Sequence, residues 1–431
     1  MTTTAGEQGV APDPSNEPVD PAIWPDVAER PRPTAAAAIA RSFFRRAIRR
    51  LPVRVTLPGG ERLGGGGADA PEMVLHRPGD VFGRVGAHQL TGFGEGYMAG
   101  DWSAGPGTDL ADLLTPFAAR LTGLVPKPLQ HLRSLVDKRL PANEANTVAG
   151  ARDNIHRHYD LSNDLFATFL DPTMSYSSAW FPDRLDGDDD RDLEAAQLRK
   201  IDGILDYARV GAGTRLLEIG TGWGALAIRA AERGAYVTTI TISRQQRELA
   251  RRRIAEARLD DRIEVRLQDY REVEGEYDAV VSVEMIEAVG EEFWPTYFAT
   301  LDRLLAPGGR VGLQAITMDH DRMLVTRRTY GWVHKYIFPG GLIPSLRAID
   351  ANLAQHTRLQ VAEQRELGLH YAETLRQWRA RFVDGWPQVR DLGFDGTFRR
   401  MWEFYLAYCE AGFRTGYLRV QQLSLAPRPT P

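Results

Sequence analysis

Between residues 195 and 317, short apolar runs alternate with segments of helical period, and this alternation restricts the fold more than any other feature of the chain. The order is a helix through AAQLRKIDGILDYA, a strand RLLEIG, a helix ALAIRAAERG, a strand YVTTITI and a helix RQQRELARRRIAEA. Strands IEVRLQD and YDAVVSV, a helix WPTYFATLDRLL and a strand GRVGLQAI complete the block. Apolar strands joined through helices are the mark of a mainly parallel sheet covered on both faces. The pattern predicts an α/β fold with a doubly wound, Rossmann-like sheet.

The remaining chain divides around that block. Residues 1–32 are rich in Pro, Asp, Glu and small residues and poor in large apolar ones, so burial cannot offset the entropy of ordering and a disordered tail is expected. TAAAAIARSFFRRAIRRL then spaces Ile39, Phe43, Phe44, Ile48 and Leu51 as a helical face among Arg41, Arg45, Arg46, Arg49 and Arg50. Such a helix either adheres to anionic lipid headgroups or covers the core of a domain. VRVTL, the turn PGGE and the glycines at 64–67 indicate a hairpin, with helices following. Residues 33–140 therefore read as a small N-terminal α+β domain associated with lipid, PANEAN as a linker, and residues 141–431 as the main domain.

Composition excludes several classes. A net charge of −4 over 431 residues exerts no global pull toward nucleic acid. The lone Cys409 forbids an internal disulfide framework, and His156 and His158 lack a third ligand, so no metal is expected. No apolar run approaches the roughly 20 residues that span a bilayer, and MTTTAGEQGVAPDPSNEP lacks the order of a secretion signal. A cytoplasmic protein, peripheral at the inner face of the membrane, is the expectation.

In LLEIGTGWGALAIRA, a strand runs into Gly220, Gly222 and Gly224 and then opens a helix. Glycines there allow a tight turn and close approach of a ligand to helix N-terminal N–H groups. A dinucleotide site would place an acid about 20 residues further on to hold a ribose, but the second strand ends in TTITIS. Glu218 precedes the first glycine, where an acid can take the ammonium of an amino-acid-like ligand. Gln268, Asp269 and Tyr270 end the third strand with groups suited to adenine. S-adenosylmethionine (SAM) fits better than a dinucleotide.

With these residues in hand, the chain resembles the cyclopropane-fatty-acid synthase family, which includes mycolic acid and 10-methyl fatty acid methyltransferases. HYDLSNDLF, LDPTMSYSSAWF, LLEIGTGWG, TISRQQ, LQDYRE, VSVEMIEAVG, KYIFPGGLIPS and MWEFYLAYCEAGFRTG carry the resemblance over residues 150–425, and GFGEGYMAGDW extends it more weakly. It implies SAM contacts from Tyr159, Gly220, Gly222, Thr241, Gln246, Gln268 and Asp269. The implied substrate is a cis double bond in the acyl chain of a membrane phospholipid. Methyl transfer then leaves a carbocation, and the base sets the product. Proton loss from the new methyl directly onto the cation closes a cyclopropane; loss once the charge has moved to a neighbouring carbon leaves a methylene or shifted olefin, reducible to a methyl branch by a reductase partner. Tyr176, Tyr371, Trp402, Phe404, Tyr405 and Tyr408 could favour the cation through their faces or simply pack a core. Phe338, in YIFPGGLIPS, would lie in a lid over the acyl pocket or in a rigid turn. A homodimer would suit an enzyme that engages a surface.

Ring-forming members of that family hold bicarbonate as base with a Cys, a Glu, a His and a Tyr; the matching positions here read Ser178, Glu287, Gln314 and Tyr371, with Ile316 also matching. A family glycine three residues before that Glu is Glu284 in this chain. Glu284 then replaces bicarbonate as the base, held by Gln314 and assisted by Glu287, or merely supports neighbouring groups. These departures favour a methylene or methyl branch; ring formation with bicarbonate is the alternative. Two other readings compete: a lipid-binding protein without catalysis, and a methyltransferase for a small soluble metabolite.

Overall fold

The hairpin expected after residue 50 begins a four-stranded sheet. β1 (Arg54–Thr56) pairs antiparallel with β2 (Arg62–Leu63) and parallel with β3 (Glu72–Leu75), which pairs antiparallel with β4 (Trp102–Ala104). This is a computed structural model of the chain, and it describes residues 17–124, 162–182, 192–327 and 329–429, without the side chains of 121–124. The PANEAN linker and residues 1–16 lie outside the described residues.

Met1–Pro116 and Trp386–Tyr405 form one unit; Phe117–Gly385 and Leu406–Pro431 form the other. The first unit differs from the expected division in two ways. Residues 17–32 are ordered within it: Val27 is 1% exposed, and the Trp24 indole N–H donates to Asp395 at 2.8 Å. Averaged composition conceals those two apolar anchors, which are enough to seat the short segment. Twenty C-terminal residues also fold here, with Phe404 6.2 Å from Trp102 between ring centroids. The basic helix Ala35–Ile48 turns Ile48 and Phe44 inward, with Phe44 5.5 Å from Phe82, while Ile39 on the opposite side is 70% exposed.

The second unit contains the predicted sheet. Its strands are β5 (Arg215–Ile219), β6 (Tyr236–Thr241), β7 (Ile263–Leu267), β8 (Tyr277–Val283), β9 (Leu305–Thr317), β10 (Leu359–Glu366) and β11 (Arg419–Pro427). Their spatial order is β10-β11-β9-β8-β5-β6-β7, and β11 alone runs against its neighbours. The helices Leu193–Tyr207 and Ala225–Glu232 close one core layer with Ile204, Leu205, Ala227 and Ala230 against Leu216, Val237 and Val281. Asp192 caps the first helix by accepting from Glu194 and Ala195 N–H. Close approach of that helix to β9 requires a glycine, because a Cβ on Gly312 would lie 2.8 Å from the Ile204 carbonyl. Among the described residues no helix is long and apolar enough to cross a membrane.

Candidate active site

The chain fills the sheet outward through β5, β6 and β7 and then crosses to β8 on the other side of β5. Ligands of such sheets bind outside the carboxyl ends of the strands at that reversal. There Gly220, Gly222 and Gly224 have φ of +99°, +51° and +91°, a region that side chains disfavour. A Cβ on Gly222 would meet nothing within 4 Å, so the turn opens onto a cavity. Glu218, Thr241, Gln246, Gln268 and Asp269 all line it. Thr241 donates to Gln246 Oε1 at 2.9 Å, fixing that wall. Asp269 is held at both oxygens by Arg271, and Gln268 donates to the Glu272 carbonyl at 2.9 Å. Glu218 is the unsatisfied member. Its Oε2 is buried without a partner among the described residues, and burial pushes its carboxyl up to about 8 against the Thr239 hydroxyl and Lys200. A ligand ammonium is the partner such an atom lacks, so these residues fit SAM.

Glu284 follows β8 directly at φ +49°, a conformation that costs a side-chain-bearing residue about 1–2 kcal/mol and a glycine little. The turn is held by the Glu284 N–H, which donates to the Gln314 carbonyl on β9 at 2.8 Å. Its carboxylate is thereby aimed into a nest of donors. Oε1 accepts from the Ser178 N–H at 2.9 Å and from Gln314 Nε2 at 2.8 Å, and the Tyr371 hydroxyl also bonds the carboxylate. Burial raises its pKa while these donors and Lys200 oppose the rise.

Glu287 stands on the next turn, in the helix Ile286–Val289. Its Oε1 accepts from the Ile316 N–H, whereas Oε2 is buried without a partner among the described residues. Burial and then the Glu284 carboxylate push Glu287 up to about 8. Two buried carboxyls this close share one proton. Of the two, Glu284 has the donors that favour its charged form, whereas Glu287 is held up toward about 8.

That assignment has a sign in stability. Glu287 binds its proton more tightly folded than unfolded, so its contribution is full below about pH 4.5 and declines as pH rises toward 8. Glu287→Gln removes the decline. Its melting temperature relative to the parent should increase between pH 5 and pH 8, corresponding to up to about 3 kcal/mol; a difference constant with pH would refute the shared proton.

Reading the sequence alone missed Lys200 and Trp378. Lys200 lies fully buried on the inner face of its helix, donates to the Ser177 hydroxyl, and is pushed down to about 8 by burial against Glu284, Asp171 and Glu218. A charged residue sharing a face with Ala196, Ile201 and Ile204 was the available signal. Trp378 stacks on Tyr176 at 5.2 Å and meets Tyr371 edge-on at 6.0 Å. It stands seven residues after Tyr371, two turns along the same helical face.

Ile316, half-buried, serves the site through its backbone. The loop containing Phe338 is tied to it as well, since the Leu342 N–H donates to the Glu287 carbonyl at 2.8 Å. Tyr405 falls in the first unit, where it packs on Trp402 at 5.2 Å. Trp402 and Phe404 are likewise core there. Tyr159, His156 and His158 lie outside the described residues. Among the described residues no cluster of His, Cys, Asp and Glu could hold a metal ion.

Comparison with known families matches residues 147–423 to the family described as mycolic acid cyclopropane synthetase. The chain belongs to that family. It is 51% identical over 412 residues to the tuberculostearic acid methyltransferase UfaA1 of Mycobacterium tuberculosis, covering 94% of this chain and 96% of the relative. It is 34% identical over 368 residues to the cyclopropane-fatty-acyl-phospholipid synthase of Escherichia coli, covering 82% and 87%. The solved mycolic acid cyclopropane synthase CmaA1, complexed with SAH (S-adenosylhomocysteine) and CTAB, superimposes with a TM-score of 0.57 at 31% identity, covering 64% of this chain and 97% of CmaA1. As a member of the family the protein is a SAM-dependent methyltransferase that modifies fatty acyl lipids. The fold agrees with the doubly wound sheet read from the sequence, and Glu218 and the three glycines line the cavity at its topological switch point.

Proposed function

We propose that this family member methylates a cis double bond within the acyl chain of a membrane phospholipid and forms a 10-methylene fatty acid, precursor of a 10-methyl branch. The observation carrying this reading is Glu284, whose carboxylate fills the nest made by Ser178, Gln314 and Tyr371. These positions correspond to those that hold bicarbonate in the ring-forming enzymes the chain resembles. The 51% identity to a protein named tuberculostearic acid methyltransferase agrees with it.

Bound SAM supplies an electrophilic methyl to one alkene carbon, leaving S-adenosylhomocysteine and a carbocation on the acyl chain. Tyr176, Tyr371 and Trp378 surround the site with aromatic faces that favour such a cation. A 1,2-hydride shift brings the charge to the methylated carbon. Ionised Glu284 then takes a proton from the new methyl, and the C–H electron pair becomes the exocyclic double bond. Glu287 stays protonated beside it and so does not compete as base. Reduction of the methylene to a methyl branch requires a hydride and a proton, which a reductase partner would provide.

The test is mass and fragmentation analysis of the fatty acids formed from SAM and monounsaturated phospholipid vesicles, with and without bicarbonate. An exocyclic methylene product indifferent to bicarbonate is expected. A cyclopropane whose yield rises with bicarbonate would overturn the reading in favour of ring formation, which the kept Glu287 and Tyr371 and the similarity to the Escherichia coli synthase make the second reading. Exposed Ile39 and Phe43, among the arginines of Ala35–Ile48, support peripheral attachment to the anionic inner face of the membrane. Undiminished co-sedimentation of Ile39→Asp/Phe43→Asp with anionic vesicles would remove that role.

A further inference from the structure

Behind the nest, a chain of side chains runs away from Glu284 through the sheet. Gln314 Oε1, on the far side of the amide that bonds Glu284, accepts from Gln422 Nε2 on β11 at 2.9 Å. The same Gln422 nitrogen donates to the Lys200 carbonyl at 3.0 Å, and its Oε1 accepts from Arg365 on β10 at 3.1 Å. Gln314 and Gln422 are fully buried. None of this was legible as a site in the sequence, because β10 and β11 lie beyond the alternating block.

The direction of this chain is determined at its ends. A guanidinium can only donate and a peptide carbonyl can only accept. Arg365 therefore requires the oxygen of Gln422 on its side, and the Lys200 carbonyl requires the nitrogen on the other. Gln422 must then offer an N–H to Gln314, which leaves the Gln314 oxygen on that side and its nitrogen toward Glu284. Turning the Gln314 amide over would set nitrogen against nitrogen at Gln422 and oxygen against carboxylate at Glu284. Arg365 is itself held flat, with its guanidinium 3.9 Å from the Trp180 ring centroid and 4.7 Å from that of Tyr207. Gly203 leaves room for the arrangement: a Cβ there would lie 2.7 Å from an Arg365 nitrogen, 2.9 Å from Trp180 and 3.1 Å from Gln422 Oε1.

We propose that Arg365 and Gln422 are positioning residues that lock the Gln314 amide with its N–H toward Glu284 and so keep that carboxylate in its ionised, proton-accepting form. Neither touches the reacting atoms; both act through Gln314. The inference rests on Glu284 being the base. It gives β10 and β11, the strands added to the alternating core, a function at the site: they carry the polarity of the relay.

The experiment is the pH profile of kcat, measured with saturating SAM and monounsaturated phospholipid vesicles, for R365M, Q422M and R365K. Without the oriented amide, Glu284 loses a donor to its charged form and its pKa rises, so activity should fail at a higher pH. R365M and Q422M should each move the acid limb upward by about one pH unit, so that kcat falls about tenfold at pH values below the limb and only about twofold or less on the plateau above it, with the Kd for SAM unchanged. Q422M retains the Arg365 charge, so a shift in this variant separates amide orientation from long-range charge. R365K retains a donor and should keep the parent profile. Unshifted acid limbs in R365M and Q422M would overturn the relay, and if one of the two does not fold the other decides. Glu284→Gln run alongside separates the two claims. If it remains active, the base assignment itself falls; if it is inactive while the relay variants keep the parent profile, only the relay falls.

Discussion

Glu284→Gln is expected to lower kcat by about 10²–10⁴-fold while the Kd for SAM stays within about twofold. The substitution keeps the shape of the side chain, its backbone turn and acceptance from Ser178, but removes the carboxylate in the nest. The bonds from Gln314 and Tyr371 then have a neutral amide as partner, and no group remains to take the proton. Glu284→Gly sharpens the test. It restores a glycine at φ +49° and clears a space beside Ser178, Gln314 and Tyr371 sized by the lost carboxylate. Bicarbonate added to Glu284→Gly should restore part of the activity and have no effect on the parent. Retention of activity in Glu284→Gln, or bicarbonate dependence in the parent, would remove Glu284 from the chemistry.

Binding of SAM should release close to one proton near pH 7, and Glu218→Gln should abolish that release while weakening binding roughly 10- to 100-fold. The proton is the one held by Glu218 in the ligand-free protein, where burial pushes the carboxyl up to about 8 and Oε2 has no partner among the described residues. A ligand ammonium stabilises the carboxylate and draws the pKa down, so affinity should rise between pH 6 and pH 8. Loss of one charge-assisted hydrogen bond, about 1.5–3 kcal/mol, sets the size of the effect. Titration calorimetry in buffers of different ionisation enthalpy measures the proton directly. Heats that are independent of buffer in the parent would show that Glu218 does not receive the ammonium.

The sequence by itself determined the parts of this protein that depend on local order. Apolar strands alternating with helical segments allow little but a mainly parallel sheet, and β5 to β9 stand where the periodicity put them. The glycine turn with Glu218 before it was legible for the same reason: strand, tight turn and helix are contiguous in the chain. Glu284 and Glu287 stood out as acids three residues apart at a strand end.

Only the tertiary structure decided which groups face those carboxyls. Ser178, Gln314 and Tyr371 come from three separate segments, and a donor's direction toward Glu284 depends on their packing rather than on any spacing along the chain. Lys200 and Trp378 stand on the inward faces of their helices, but the groups they meet there come from other segments brought in by packing. Trp386–Tyr405 folds with residues far away in the chain, so Trp402 and Phe404, which the sequence left open between a pocket and a core, are core of the first unit. The raised Glu287 pKa likewise belongs to the folded state: two glutamates ionise independently in an extended chain, and burial beside Glu284 in a low-dielectric site holds the Glu287 proton.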